Sequence, residues 1–173
     1  FSSNIEDLLA AAEFMDQKLL GPSILVGHSL GGAAALLAAG KMPTVRALAT
    51  LGAPANPTHV THLFSDSLEI LEKTGKAKIS IGGRSFTIRK EFLDDLEDQA
   101  LEQAVQALKI PLLLMHSPID KVVSIENAAA LYEYAKHPKS FISLDDADHL
   151  LKKSRDSRYA ARNLTAWAER FLE

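Results

Sequence analysis

Gly27, His28, Ser29, Leu30 and Gly31 place a serine between two glycines, directly after the short apolar run Ile24 to Val26 and directly before a helical stretch. A strand that breaks into a helix through so sharp a turn holds its serine in a strained backbone conformation and lifts Oγ above the sheet. Small residues two before and two after the serine keep such a turn free of clashes. The amide of Leu30, at the helix start, then points toward the place where an oxyanion would form. The chemistry this pattern suits is nucleophilic attack on an acyl carbon. The plain alternative is a Gly-rich turn whose serine caps a helix.

A serine at its ordinary pKa is a weak nucleophile, so a base and a group that orients the base must be found. Asp120 follows the apolar strand ending at Met115, in the turn His116, Ser117, Pro118, Ile119, and His149 follows a later strand in the loop Asp145, Asp146, Ala147, Asp148. Both positions fall at the carboxyl edge of a parallel sheet, where Ser29 also sits and where ligands gather. Ser29 as nucleophile, His149 as general base and Asp120 as orienting acid would form one proton relay. Asp145, Asp146 and Asp148 are the nearest rival acids. Asp148 adjoins His149 in sequence and is badly placed to reach the same imidazole, so these three read as turn or capping residues. His116 reads as a core or pocket histidine, and His28 is expected to point away from the pocket and pack. His59 and His62 lie one helical turn apart, yet no acidic or cysteine partner sits nearby, so neither a metal nor a cofactor is expected.

The elements that position these residues alternate. Ser3 and Glu6 have capping-box spacing, and Ile5, Leu8, Leu9, Ala12 and Leu19 recur at helical intervals, so a helix is predicted to about Leu20, where Gly21 and Pro22 stop it. After the serine turn a helix runs from about Leu30 to Ala39, its near face built from Gly31, Gly32, Ala33 and Ala34 and its end marked by Gly40. Strands are predicted at Ala47 to Leu51, Ile110 to Met115 and Ser140 to Leu144. Ser124 is placed to cap a further helix, and Ala160, Leu164, Trp167 and Phe171 mark the last one. Alternating strands and helices imply an α/β class, a mostly parallel sheet between two helical layers. The interval from about 54 to 108 breaks the rhythm and reads as an inserted lid: a short helix ended by Gly75, a hairpin from Lys78 to Ile88 around Gly82 and Gly83, then helix from Glu91 to Leu108 in one or two pieces. Its apolar residues Val60, Leu63, Phe64, Phe86, Phe92 and Leu93 read as lid core rather than pocket wall.

Composition narrows the field. At 173 residues and 47% hydrophobic the chain can bury one sizeable core, and a second full domain is not expected. A formal net charge of -3 gives no reason to expect nucleic acid as a partner. No apolar run approaches the roughly 18 residues a membrane span needs, and a cytoplasmic setting is expected. With no cysteine there is no disulfide, thiolate nucleophile or thiolate metal ligand. The chain opens on Phe1 and its methionines are internal, as expected of a piece of a longer protein.

Taken together, these residues resemble the α/β-hydrolase superfamily over essentially the whole chain. Phe1 to Asn4, Val45 to Pro54, Arg84 to Leu96 and His137 to Leu151 resemble more narrowly the hydrolase portion of bacterial hydrolase/OsmC fusion proteins, whose OsmC-type peroxide-reducing domain uses cysteines that this chain lacks. The resemblance implies Ser29 in Gly-His-Ser-Leu-Gly-Gly, Asp120 in Pro-Ile-Asp and His149 in Asp-Ala-Asp-His-Leu as the triad. It also implies a larger sheet than these strands supply and a second oxyanion donor from an early loop that no residue here matches. Ile24 to Val26 would then form an unpaired, apolar edge, so pairing with a preceding segment or homo-oligomerisation is expected. The expected activity is a serine hydrolase that cleaves a small carboxylic ester or related acyl substrate through an acyl-enzyme. An acyltransferase would use the same serine, and a non-catalytic binding module is the rival from another class.

Overall fold

The computed structural model describes residues 1–58, 67–81, 84–97 and 100–172. Helix α1 (Ser2–Lys18) leads to strand β1 (Ile24–His28), helix α2 (Leu30–Ala39) and strand β2 (Ala47–Leu51). Helix α3 (Leu68–Thr74), the strands β3 (Lys76–Ile81) and β4 (Arg84–Arg89), and helices α4 (Lys90–Glu97) and α5 (Leu101–Ala107) come next. Strand β5 (Leu112–His116), helix α6 (Glu126–Tyr134), strand β6 (Lys139–Ser143) and helix α7 (Ser154–Ala168), extended by one 3₁₀ turn, complete the chain.

Four of the strands are parallel and lie in the order β1-β2-β5-β6. Strand β5 is buried throughout, and its alternation divides the core. Leu112 and Leu114 face one layer, packing with Ala33 and Leu36 of α2, Val105 of α5 and Leu131 of α6. Leu113 and Met115 face the other, packing with Ala160 of α7 and with Leu144 and Ala147. A run of four consecutive apolar residues is what a strand covered on both faces requires. The molecule is therefore a three-layer α/β/α sandwich, as the alternation predicts. Strand β1 forms one edge of the sheet; Val26 there is 45% exposed while Leu25 is buried.

The expected insertion is seen between β2 and β5. Strands β3 and β4 pair antiparallel with Ile79 opposite Phe86 and Ala77 opposite Ile88, so these four share one face. Gly75 takes a left-handed conformation and ends α3. Helix α4 buries Leu96, and α5 buries Leu101 and Val105 one turn apart, so the expected helical stretch is two pieces. Gly82 and Gly83 of the hairpin tip, together with His59, Val60, His62, Leu63 and Phe64, lie outside the described residues.

Two local expectations are corrected. Helix α1 begins at Ser2 without a side-chain cap, so Ser3 lies inside its first turn and the capping box with Glu6 does not form; the helix ends at Lys18. Ser124 does not cap α6, which begins after Ile125; its carbonyl and hydroxyl instead accept hydrogen bonds from Asn127 Nδ2. Gly40 ends α2 as expected, in a right-handed conformation.

Candidate active site

The serine turn has the predicted form. Ser29 stands between β1 and α2 with φ 54° and ψ -130°, a left-handed backbone rare for any residue with a Cβ. Its N–H donates to the Leu51 carbonyl of β2 at 2.8 Å, and its own carbonyl accepts from the Gly32 amide at 2.8 Å. The glycine that makes room is only partly the expected one. A Cβ on Gly27 would lie 2.5 Å from Gly32 Cα and 2.6 Å from the Gly31 carbonyl, and one on Gly32 would lie 2.6 Å from Ala53 Cβ. A Cβ on Gly31 would meet nothing within 4 Å. Gly27 and Gly32 are thus the pair that lets α2 lie against the strand, and Gly31 is open to the cavity in front of Ser29.

Asp120 and His149 converge on that turn. His149 Nε2 lies 2.9 Å from Ser29 Oγ, and His149 Nδ1 lies 2.7 Å from Asp120 Oδ2. Only 2% of the Asp120 side chain and 5% of the His149 side chain are exposed, so water does not compete for the bond between them. An ionised carboxylate can only accept, which puts the Nδ1 proton on the imidazole and leaves Nε2 to accept from the serine hydroxyl. The other oxygen, Asp120 Oδ1, accepts from the amides of Val122 at 2.8 Å and Val123 at 3.0 Å. Burial pushes the Asp120 carboxyl up, but the bonds from His149, Val123 and Val122 and the nearby imidazole charge outweigh it and hold the group below its ordinary value.

The remaining sequence candidates separate from this centre. Asp148 Oδ1 accepts from the Lys152 amide, Asp145 bonds Ser143 Oγ, and Asp146 meets Arg155, so all three serve their loop as expected. His116 is buried behind Asp120 with Nε2 bonded to the Val123 carbonyl at 2.8 Å, which fixes the turn that supplies the two amides. His28 departs from expectation: it faces the cavity, and its Nε2 lies 2.7 Å from the main-chain carbonyl of His149. The side chains on alternate sides of β1 decide this. Gly27 faces the helix α2, so the next residue faces the opposite layer, where the His149 loop descends. Gly52 was not singled out by sequence reasoning. It ends β2 with φ 56°, and a Cβ there would press on Asp120 Oδ2 and the His149 ring at 3.3 Å. The Gly-Ala-Pro that follows the strand was the available signal.

A cavity of about 920 Å³ opens in front of Ser29. The apolar face of the hairpin forms part of its wall through Ile79, Phe86 and Ile88, and α4 adds Phe92. Phe86 is therefore a wall residue, contrary to the reading of it as lid core, whereas Phe92 and Leu93 pack against the core as read, Phe92 also bordering the cavity. Leu30 borders the same cavity as the first residue of α2, where its amide has no acceptor within the helix. Among the described residues no cluster of histidine, aspartate and glutamate suits a metal ion, and no helix is long and apolar enough to cross a membrane.

Comparison with known proteins gives the context. Residues 2–173 match the prolyl oligopeptidase family, Peptidase_S9. The esterase domain of a Rhodothermus marinus protein is 49% identical, with a TM-score of 0.85 over 98% of this chain and 70% of that one. Alpha/beta hydrolase domain-containing protein 10 from mouse is 24% identical (TM-score 0.75, 96% of this chain and 68% of that one). Est1E from Butyrivibrio proteoclasticus is 17% identical (TM-score 0.69, 93% and 69%). These last two show likeness of fold alone. No curated protein sequence matches the chain.

Proposed function

Since the chain belongs to the prolyl oligopeptidase family of α/β-fold hydrolases, we propose that it is a serine hydrolase cleaving a small carboxylic ester through an acyl-enzyme at Ser29. The observation that carries this reading is the continuous hydrogen-bonded line Ser29 Oγ, His149, Asp120 at the mouth of a largely apolar cavity. His149 Nε2 takes the hydroxyl proton as Oγ attacks the acyl carbon, and Asp120 stabilises the imidazolium that results. The Leu30 amide donates to the oxygen that becomes negative. The imidazolium then returns its proton to the departing alkoxide. In the second half a water loses a proton to Nε2 as it attacks the acyl carbon, and Oγ leaves with that proton restored.

An ester is favoured over a peptide because the 49% identical Rhodothermus marinus relative is described as an esterase domain. The apolar wall formed by Ile79, Phe86 and Phe92 would take the less polar side of the substrate. The narrower placement, as the hydrolase portion of an OsmC fusion, is supported by the sequence resemblance alone. Labelling with a fluorophosphonate tests the reading: the protein should react at Ser29 and release acid from p-nitrophenyl esters, and Ser29→Ala should do neither. Equal labelling of both proteins, or of neither, would leave a non-catalytic binding module. Ester formation on adding a competing alcohol would move the assignment to acyl transfer.

A further inference from the structure

We propose that His28 is a positioning residue that clamps the base-bearing loop onto the nucleophile turn, a role that rests on the relay proposed above. His28 is the last residue of β1 and immediate neighbour of Ser29. Its Nε2 lies 2.7 Å from the His149 carbonyl, within the range of a good hydrogen bond, and only the imidazole can donate across that gap. The bond sets the tautomer of His28: the proton is on Nε2. The two rings also touch, with centroids 4.9 Å apart and planes tilted by 41°.

The effect is geometric. The 144–152 loop is tied to itself through Ala147 to Leu144, Leu151 to Asp148 and Lys152 to Asp148. It is tied to β5 and the turn after it through the Leu144 amide on the His116 carbonyl, the packing of Leu144 and Ala147 on Leu113 and Met115, and the bond from His149 to Asp120. These contacts place it against β5; the bond from His28 ties it to β1. The clamp attaches the main chain of His149 to the residue adjacent to the nucleophile, so the 2.9 Å approach of Nε2 to Oγ is set by two anchors in neighbouring positions. A proton transfer is sensitive to such distances, and misplacement by about 1 Å can cost roughly 10²-fold in rate. His28 also faces a like group. The imidazolium that forms on His149 would be opposed by a second cation, and Asp120 and Asp148 are the anions that border the same small space. Neutral His28 leaves the transition state with one cation, held by Asp120. Although His28 is exposed on its outer side, desolvation of its ring against the His149 loop is the leading cause that lowers its pKa, in line with that neutral state.

Three variants separate the clamp from simple packing, assayed by p-nitrophenyl acetate hydrolysis with folding checked by circular dichroism. His28→Phe keeps the ring and removes the donor; His28→Gln removes the ring and keeps a donor nitrogen the same number of bonds from the backbone. We expect His28→Ala and His28→Phe to lose roughly 10- to 100-fold in kcat with KM changed by less than about threefold, and His28→Gln to recover most of the loss. Full activity in folded His28→Phe, no recovery in folded His28→Gln, or a loss confined to KM would overturn the clamp. Fluorophosphonate labelling of the wild type and of Ser29→Ala runs alongside. If the wild type labels at Ser29 and these variants match it, the clamp alone fails; if the wild type does not label, the relay fails and the clamp with it.

Discussion

Replacing Asp120 by asparagine should remove nearly all activity while leaving the fold intact, and the geometry says why. Asp120 Oδ1 accepts from two main-chain amides, Val122 at 2.8 Å and Val123 at 3.0 Å. An NH₂ group cannot accept from either, so the asparagine oxygen must take that place and its Nδ2 must face His149 Nδ1, now 2.7 Å away. Two donors cannot share that bond. Nδ1 therefore gives up its proton and accepts, and the proton moves to Nε2. There it points at Ser29 Oγ, and the imidazole can no longer take the hydroxyl proton. A wrong tautomer held in correct geometry costs about 10⁴-fold in kcat in the triad whose behaviour is the template, or about 5.4 kcal/mol of barrier at 1.36 kcal/mol per tenfold. The assay is steady-state hydrolysis of a p-nitrophenyl ester, with the rate of fluorophosphonate labelling as a second readout. A folded Asp120→Asn enzyme within tenfold of the wild type would refute the reasoning, because the orientation forced by Val122 and Val123 leaves no other tautomer available.

Further outcomes follow from the same geometry. Gly27→Ala should destabilise by about 1–3 kcal/mol or more and disturb Ser29, since its Cβ meets backbone atoms that cannot yield, whereas Gly31→Ala should leave the melting temperature unchanged or raised; chemical denaturation of the two variants compares them. The Asp120 carboxyl is held below its ordinary value of 3.8 in the folded protein, so its contribution to stability is complete above that value and drains away as pH falls through the lower folded one. The gap in melting temperature between wild type and Asp120→Asn should therefore be open at pH values above 3.8 and narrow as pH falls below it. Phe86→Ala should raise KM for apolar esters by roughly tenfold, corresponding to about 1.4 kcal/mol for part of one aromatic side chain, with little change in kcat; equal KM across ester lengths would remove Phe86 from the substrate wall.

Much of this was legible in the sequence because the relevant signals are local. The apolar run at Ile24 and the small residues around Ser29 specify a strand that must turn within one residue, although the run did not show that this strand lies at the sheet edge with only one face buried. Asp120 and His149 were found by their place after strands, since parallel strands in one sheet deliver their following loops to the same edge. What was missed depends on side-chain direction and on contacts across the sheet. His28 is expected from the sequence to point away from the pocket and pack, yet the last residue of a strand faces whichever layer the strand's alternation dictates, and here the His149 loop occupies that layer. Gly31 and Gly32 are indistinguishable in a sequence; only the position of Ala53 singles out the second. Ser3 and Glu6 have the spacing of a cap, but spacing does not determine where a helix begins. The hairpin's alternation showed its two-sidedness without showing that Phe86 would be part of the wall.

The left-handed backbone at Ser29 has one further consequence. A non-glycine residue held there costs of order 1–3 kcal/mol, which the close contact of Gly27 with Gly32 and the bond to the Leu51 carbonyl must sustain. The hydroxyl is thus presented by the rigid frame and not by a movement. Loosening the frame would let the bend relax and drop the hydroxyl from its position, so catalytic competence and the integrity of the first two strands should be lost in one event on heating, with no inactive but still folded stage between them.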